Sequence, residues 1–181
     1  MADVARGRIP GDFDTHALYE ALNRQREQRG LTWSGAAREI WAMSSVLNEQ
    51  RPDDHPLAAS TIRNLQISSD TSCQHALFYL HWLDRTPESF MPDARETGRA
   101  LPGTESDRRP RWHLGRLYDA LDETRQREGL TWAALAEELS CTPHQLTGLR
   151  TARYATSMRL AMRICRRLDR PAADFVYAGR W

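Results

Sequence analysis

Between residues 18 and 40 apolar side chains recur at helical spacing, interrupted once. Leu18, Ala21 and Leu22 share one helical face, and Trp33, Ala36, Ala37 and Ile40 follow at i, i+3, i+4 and i+7. Gly30 separates the two runs and predicts a left-handed helix end, because glycine has no Cβ to clash there. The pattern then returns 99 positions later. Leu117, Ala120 and Leu121 precede Gly129, and Trp132, Leu135, Ala136 and Leu139 follow it. Eleven of the 23 aligned residues in 18–40 and 117–139 are identical. Unrelated segments would share about one or two, so the segment was duplicated.

Two amphipathic helices joined by a tight turn cannot bury their faces alone, so each copy must continue. Thr32 and Thr131 are placed to cap the second helices. Third helices are expected at 58–66 and 143–151, where Ile62 and Leu65 align with Leu146 and Leu149 at an offset of 84. The shorter offset leaves the first copy an insertion at about 43–57, read as a charged, proline-flanked surface loop after an extended second helix. Thr142 followed by Pro143 is a strong helix start. Fourth helices carry Cys73, Ala76, Leu77, Leu80 and Leu83 against Met158, Ala161, Met162, Cys165 and Leu168, with Ser72 and Ser157 as caps. LDRTPESFM and LDRPAADFV then predict a short fifth helix ending near Phe90 and Phe175. The expected organisation is a flexible arm at 1–13, a first domain at 14–91 whose helix Asp14 caps, a linker at 92–111 and a second domain at 112–181.

Composition narrows the possibilities. Forty per cent apolar residues suffice for two modest cores, and 25 basic residues against 24 acidic ones force no strong global attraction to polyanions. Every basic residue is arginine. The charge is unevenly divided: residues 14–91 hold seven arginines and ten acids, net −3, and residues 112–181 hold eleven and eight, net +3. Cys73, Cys141 and Cys165 are too few for a disulfide framework. No signal-peptide core or membrane-length apolar run is present, so a soluble cytoplasmic protein is expected. The six histidines and three cysteines lack the spacing of a structural metal site, and no nucleophile elbow, phosphate-cradling loop or paired-carboxylate pattern supports catalysis. Neither cofactor nor metal is expected. Cys141, in the turn before the third helix, could sense redox state. Trp181 could pack between the domains or at an oligomer contact.

The segment GLTWAALAEELSCTPHQLTGL resembles the helix-turn-helix of XRE-type (phage-repressor-like) DNA-binding domains. Residues 112–176 carry the resemblance well, and 14–91 carry it with the insertion. It implies an all-α fold of two tandem five-helix helix-turn-helix domains, each with its third helix as reader of the major groove. Related domains also serve in antitoxins and as protein-binding modules.

On that implication the outward residues of the second domain's third helix are His144, Gln145, Thr147 and Arg150. Gln145 suits adenine and Arg150 suits guanine or a phosphate, while Arg153 on the next loop would grip the backbone. In the first domain the set is Ser60, Thr61, Arg63, Asn64 and Gln66. Neither set contains an acid. Arg6 and Arg8 of the arm could enter a minor groove, and Arg108, Arg109 and Arg111 of the linker could touch phosphate. The positive second domain, with Arg159, Arg163, Arg166, Arg167 and Arg170 on and after its fourth helix, is the expected main contact with duplex DNA. The function expected is sequence-specific transcriptional regulation by a covalent pseudo-dimer. The alternative is an adaptor or antitoxin-like protein whose first domain binds a protein partner. A homodimer is possible on either account.

Overall fold

The computed structural model describes residues 11–92, 98–151 and 156–180. Helix α1 (Thr15–Gln28) begins where Asp14 Oδ1 accepts the Ala17 N–H at 2.9 Å, and the chain turns at Gly30 with φ 64°. Helix α2 (Trp33–Ala42) is capped by Thr32. The second repeat builds α6 (Leu114–Arg127) and α7 (Trp132–Glu138) in the same way, with Thr131 as cap and Gly129 at φ 66°. Tyr19 stacks on Trp33 and Tyr118 on Trp132, with ring centroids 5.4 and 5.3 Å apart, so the tryptophans lock equivalent helix pairs.

The insertion departs from expectation. Helix α2 stops at Ala42, and a further helix, α3 (Ser45–Gln50), follows with Leu47 fully buried. Its Leu47 N–H donates to Ser106 O at 3.1 Å and Ser44 Oγ to Arg108 O at 3.0 Å. The charged loop is therefore a short amphipathic element whose partner lies some sixty residues downstream in the expected linker.

The third helices are short. Helix α4 (Ala59–Arg63) runs into a 3₁₀ turn at Asn64–Gln66, and in the second repeat α8 (Pro143–Gly148) into one at Leu149–Thr151. Here the two copies include α5 (Cys73–Leu83) and α9 (Met158–Arg167), capped by Ser72 and Ser157, and end in 3₁₀ turns at Pro87–Phe90 and Ala172–Phe175.

The end of the expected linker is also structured. Strand β1 (Arg109–Trp112) pairs antiparallel with β2 (Val176–Gly179), in register Arg109 to Gly179 and Trp112 to Val176. Arg109, 3% exposed, donates to Asp54 at 2.5 Å and Asn48 at 2.6 Å and lies 4.4 Å over the Trp41 ring. Its positive charge is neutralised inside the protein. At the other end, Asp12 and Phe13 are buried, so the expected flexible arm does not extend through them; Arg6 and Arg8 lie outside the described residues. The described residues are thus mostly helical with one small ribbon, and among them one contiguous apolar cluster, from Phe13 through Val176, joins both repeats where two separate cores were expected.

Candidate nucleic-acid interface

The third helices sort their residues as an amphipathic helix must. Ile62 and Leu65 are buried, as are Leu146 and Leu149, and each pair anchors its helix against the core. Ser60, Arg63, Asn64 and Gln66 are exposed in the first repeat and Thr61 is half-buried. In the second, His144, Gln145 and Arg150 are exposed and Thr147 is half-buried. Arg153 lies outside the described residues.

The two sets differ in how free their polar atoms are. Gln145 Oε1 accepts the Thr142 N–H at 2.8 Å while Thr142 Oγ1 accepts the Gln145 N–H at 3.2 Å, a reciprocal capping box. That commits the acceptor Gln145 would need for adenine. The Thr147 hydroxyl donates to Pro143 O at 3.2 Å, inside its own helix. Position 148 is glycine and presents no side chain. In the first repeat Ala58, the residue before α4, supplies no side-chain cap, and Arg63 makes no ion pair among the described residues. The side chain of Asn64 is likewise not engaged by the helix, whose Asn64 O instead accepts the N–H groups of Ile67 (3.2 Å) and Ser68 (2.8 Å).

The arginines that favoured the second repeat are engaged elsewhere. Arg163 clasps Asp12 through Nε (2.7 Å) and Nη2 (2.5 Å), and its Nη1 donates to Leu139 O and Ser140 O. Asp12 is 3% exposed and belongs to the chain's opposite end. Arg166 donates to Gly11 O at 3.0 Å, Arg167 pairs with Glu138 and Glu128, and Arg170 pairs with Asp174 at 2.9 Å. Arg167 also holds the exposed Glu128 carboxyl below its usual range, chiefly by hydrogen bonding. Arg159 Nε lies 3.9 Å from Asp12 Oδ2, so each of the five arginines on and after α9 that carry the positive charge of residues 112–181 faces a carboxylate or carbonyl of the fold.

Equivalent residues of the two repeats meet. Ser72 and Ser157, each the cap of its fourth helix, form an antiparallel bridge. The Cys73 N–H donates to Thr156 O and the Met158 N–H to Thr71 O, both at 2.8 Å. Ser72 meets its own counterpart at an offset of 85, and the two flanking bonds exchange partners, 73 with 156 and 158 with 71, the mark of an isologous contact, so a local pseudo-two-fold axis passes between them. Each third helix ends six residues before its bridging serine, so at roughly 3.3–3.6 Å per residue both helix ends lie within about 20 Å of that axis. An open recess of about 340 Å³ lined by Asp70, Thr71, Ser72, Thr156 and Ser157 marks the spot. Asp70 Oδ1 accepts the N–H groups of Thr71 (2.8 Å) and Arg159 (3.2 Å), adding an asymmetric tie.

Sequence reasoning missed Asp12, Asp70 and the serine bridge. One signal was present: Phe13 and Trp112 extend the 99-residue repeat upstream as paired apolar positions, and both are buried.

Other chemistry is quiet. The thiols of Cys73 and Cys165 are buried and pushed up by desolvation, that of Cys73 to about 12. Cys141 is half-buried and also raised, chiefly by burial, so little of it is thiolate and the redox role has no support in its surroundings. Among the described residues no group of three or more His, Cys, Asp or Glu side chains could hold a metal ion, and no helix is long and apolar enough to cross a membrane. Trp181 lies outside the described residues. Comparison with protein-family models, curated proteins and solved structures finds no match to this chain.

Proposed function

We propose that the chain binds duplex DNA sequence-specifically as a transcriptional regulator, its two repeats acting as tandem five-helix helix-turn-helix units in one covalent pair. The carrying observation is the pair of third helices, anchored by buried leucine and isoleucine, presenting solvent-facing polar residues with no acid, on either side of an isologous contact. Linking two weak readers raises the effective concentration of the second once the first has bound. Unlike the charge-based expectation, the geometry favours the first repeat as the base reader, through Arg63 and Asn64, with Arg150 of the second as a backbone contact.

Selection of bound duplexes from a randomised pool tests this. Wild type enriches a defined sequence; Arg63→Ala loses about 1–3 kcal/mol and relaxes one position, while Arg150→Ala weakens binding evenly across sequences. A wild-type chain that enriches nothing sinks the proposal.

One observation favours the adaptor or antitoxin-like alternative: Ile67, just past the first repeat's third helix, is 80% exposed. A protein partner bound through the first repeat would cover it.

A further inference from the structure

Ile67 is by far the most exposed large apolar side chain among the described residues; the next, Val46, is 39% exposed. Its setting is rigid. The Ile67 and Ser68 N–H groups both reach Asn64 O, Ser68 Oγ donates to Asp70 O at 2.5 Å, and Thr15 Oγ1 donates to Ser69 O at 3.2 Å. The isoleucine is therefore held out from a pinned turn, between the last residue of the third helix and the bridge at the pseudo-two-fold axis. Its neighbours Gln66, Ser68 and Ser69 are exposed and polar. A protein-docking site is built on several contiguous apolar side chains, and the chain neighbours of Ile67 supply none. What fits a lone aliphatic group among polar ones is a lone methyl group in a polar groove.

We propose, resting on the DNA reading above, that Ile67 is a specificity-determining residue that packs against the C5-methyl of a thymine at the inner end of the first repeat's half-site. That methyl is the only apolar feature a base pair shows in the major groove. At the offset of 85 the second repeat has Ala152, a shorter side chain, so the preference belongs to one half-site and the target is asymmetric.

The test uses the full chain and the duplex it enriches from a randomised pool. Each thymine in turn is replaced by uracil, which removes the methyl and nothing else. Wild type is expected to lose about fourfold in affinity at one inner position of one half-site, the size of one buried methyl group. Ile67→Ser is expected to bind the thymine and uracil duplexes equally while keeping the melting temperature of wild type, since the side chain is exposed. A uracil penalty that persists in Ile67→Ser, or an enriched sequence without any uracil-sensitive position, overturns the inference and leaves the DNA reading standing. A partner protein lost by Ile67→Ser while its DNA selection is unchanged overturns it in favour of the adaptor. Failure of wild type to enrich any duplex overturns both.

Discussion

The fourth helices of the two repeats occupy equivalent places and do different work. Helix α5 in the first repeat is apolar on nearly all sides, with Tyr79, Leu80 and Trp82 buried, and Trp112 Nε1 donates to its Cys73 O at 3.0 Å. Helix α9 in the second is strongly amphipathic and holds a row of arginines, which reach the chain's start at Gly11 and Asp12 and its own repeat's acids. One copy is gripped by what surrounds it; the other does the gripping. Net charge per domain is thus a poor guide to a binding face, because ion pairs inside the fold must be subtracted before what remains is offered to a ligand.

The clasp is the sharpest place to break that contrast. Asp12→Ala leaves Arg163 partly buried without its carboxylate, and a loss of about 3 kcal/mol or more is expected in urea unfolding. A loss below about 1 kcal/mol would mean that the Asp12–Arg163 pair does not hold the first repeat against α9. The helix starts give the next effect, of about 1 kcal/mol. Thr142→Ala removes a capping hydroxyl and should destabilise, whereas Ala58→Thr supplies one where φ −81° and ψ 140° already suit it and should stabilise. Equal and opposite shifts in urea midpoint would confirm that the two third helices differ at their starts in this one device. The smallest effect is on pH. Burial holds the His75 and His81 imidazoles of α5 below their ordinary value, so the folded chain resists their protonation. Their contribution is complete above about pH 6.5, the unfolded value, and falls as pH drops below it. His75→Leu, which installs the residue found at the equivalent position 160, should flatten that slope between pH 7 and 5 in urea titrations.

What was legible in the sequence was local. Asp14, Thr32, Ser72, Thr131, Thr142 and Ser157 all accept the amide expected of a cap, because a cap and its target are three residues apart. The Thr142–Gln145 spacing also announced a capping box, and reading Gln145 for adenine overlooked that prior commitment. What was not legible was distant. Arg109 looks solvated in sequence, since its partners Asn48, Asp54 and Trp41 lie more than fifty residues earlier. Strand β1 was hidden by Pro110 and its arginines, and its reason for being extended is β2, at the chain's other end. The serine bridge needs both repeats folded before either serine has a counterpart.

The separation of Asp12 from Arg163, 151 residues, sets a timetable for synthesis. At roughly 5–20 residues per second, the carboxylate is made roughly 8–30 s before its guanidinium. During that interval the nascent first repeat carries a seam that only synthesis of the second repeat's fourth helix can close.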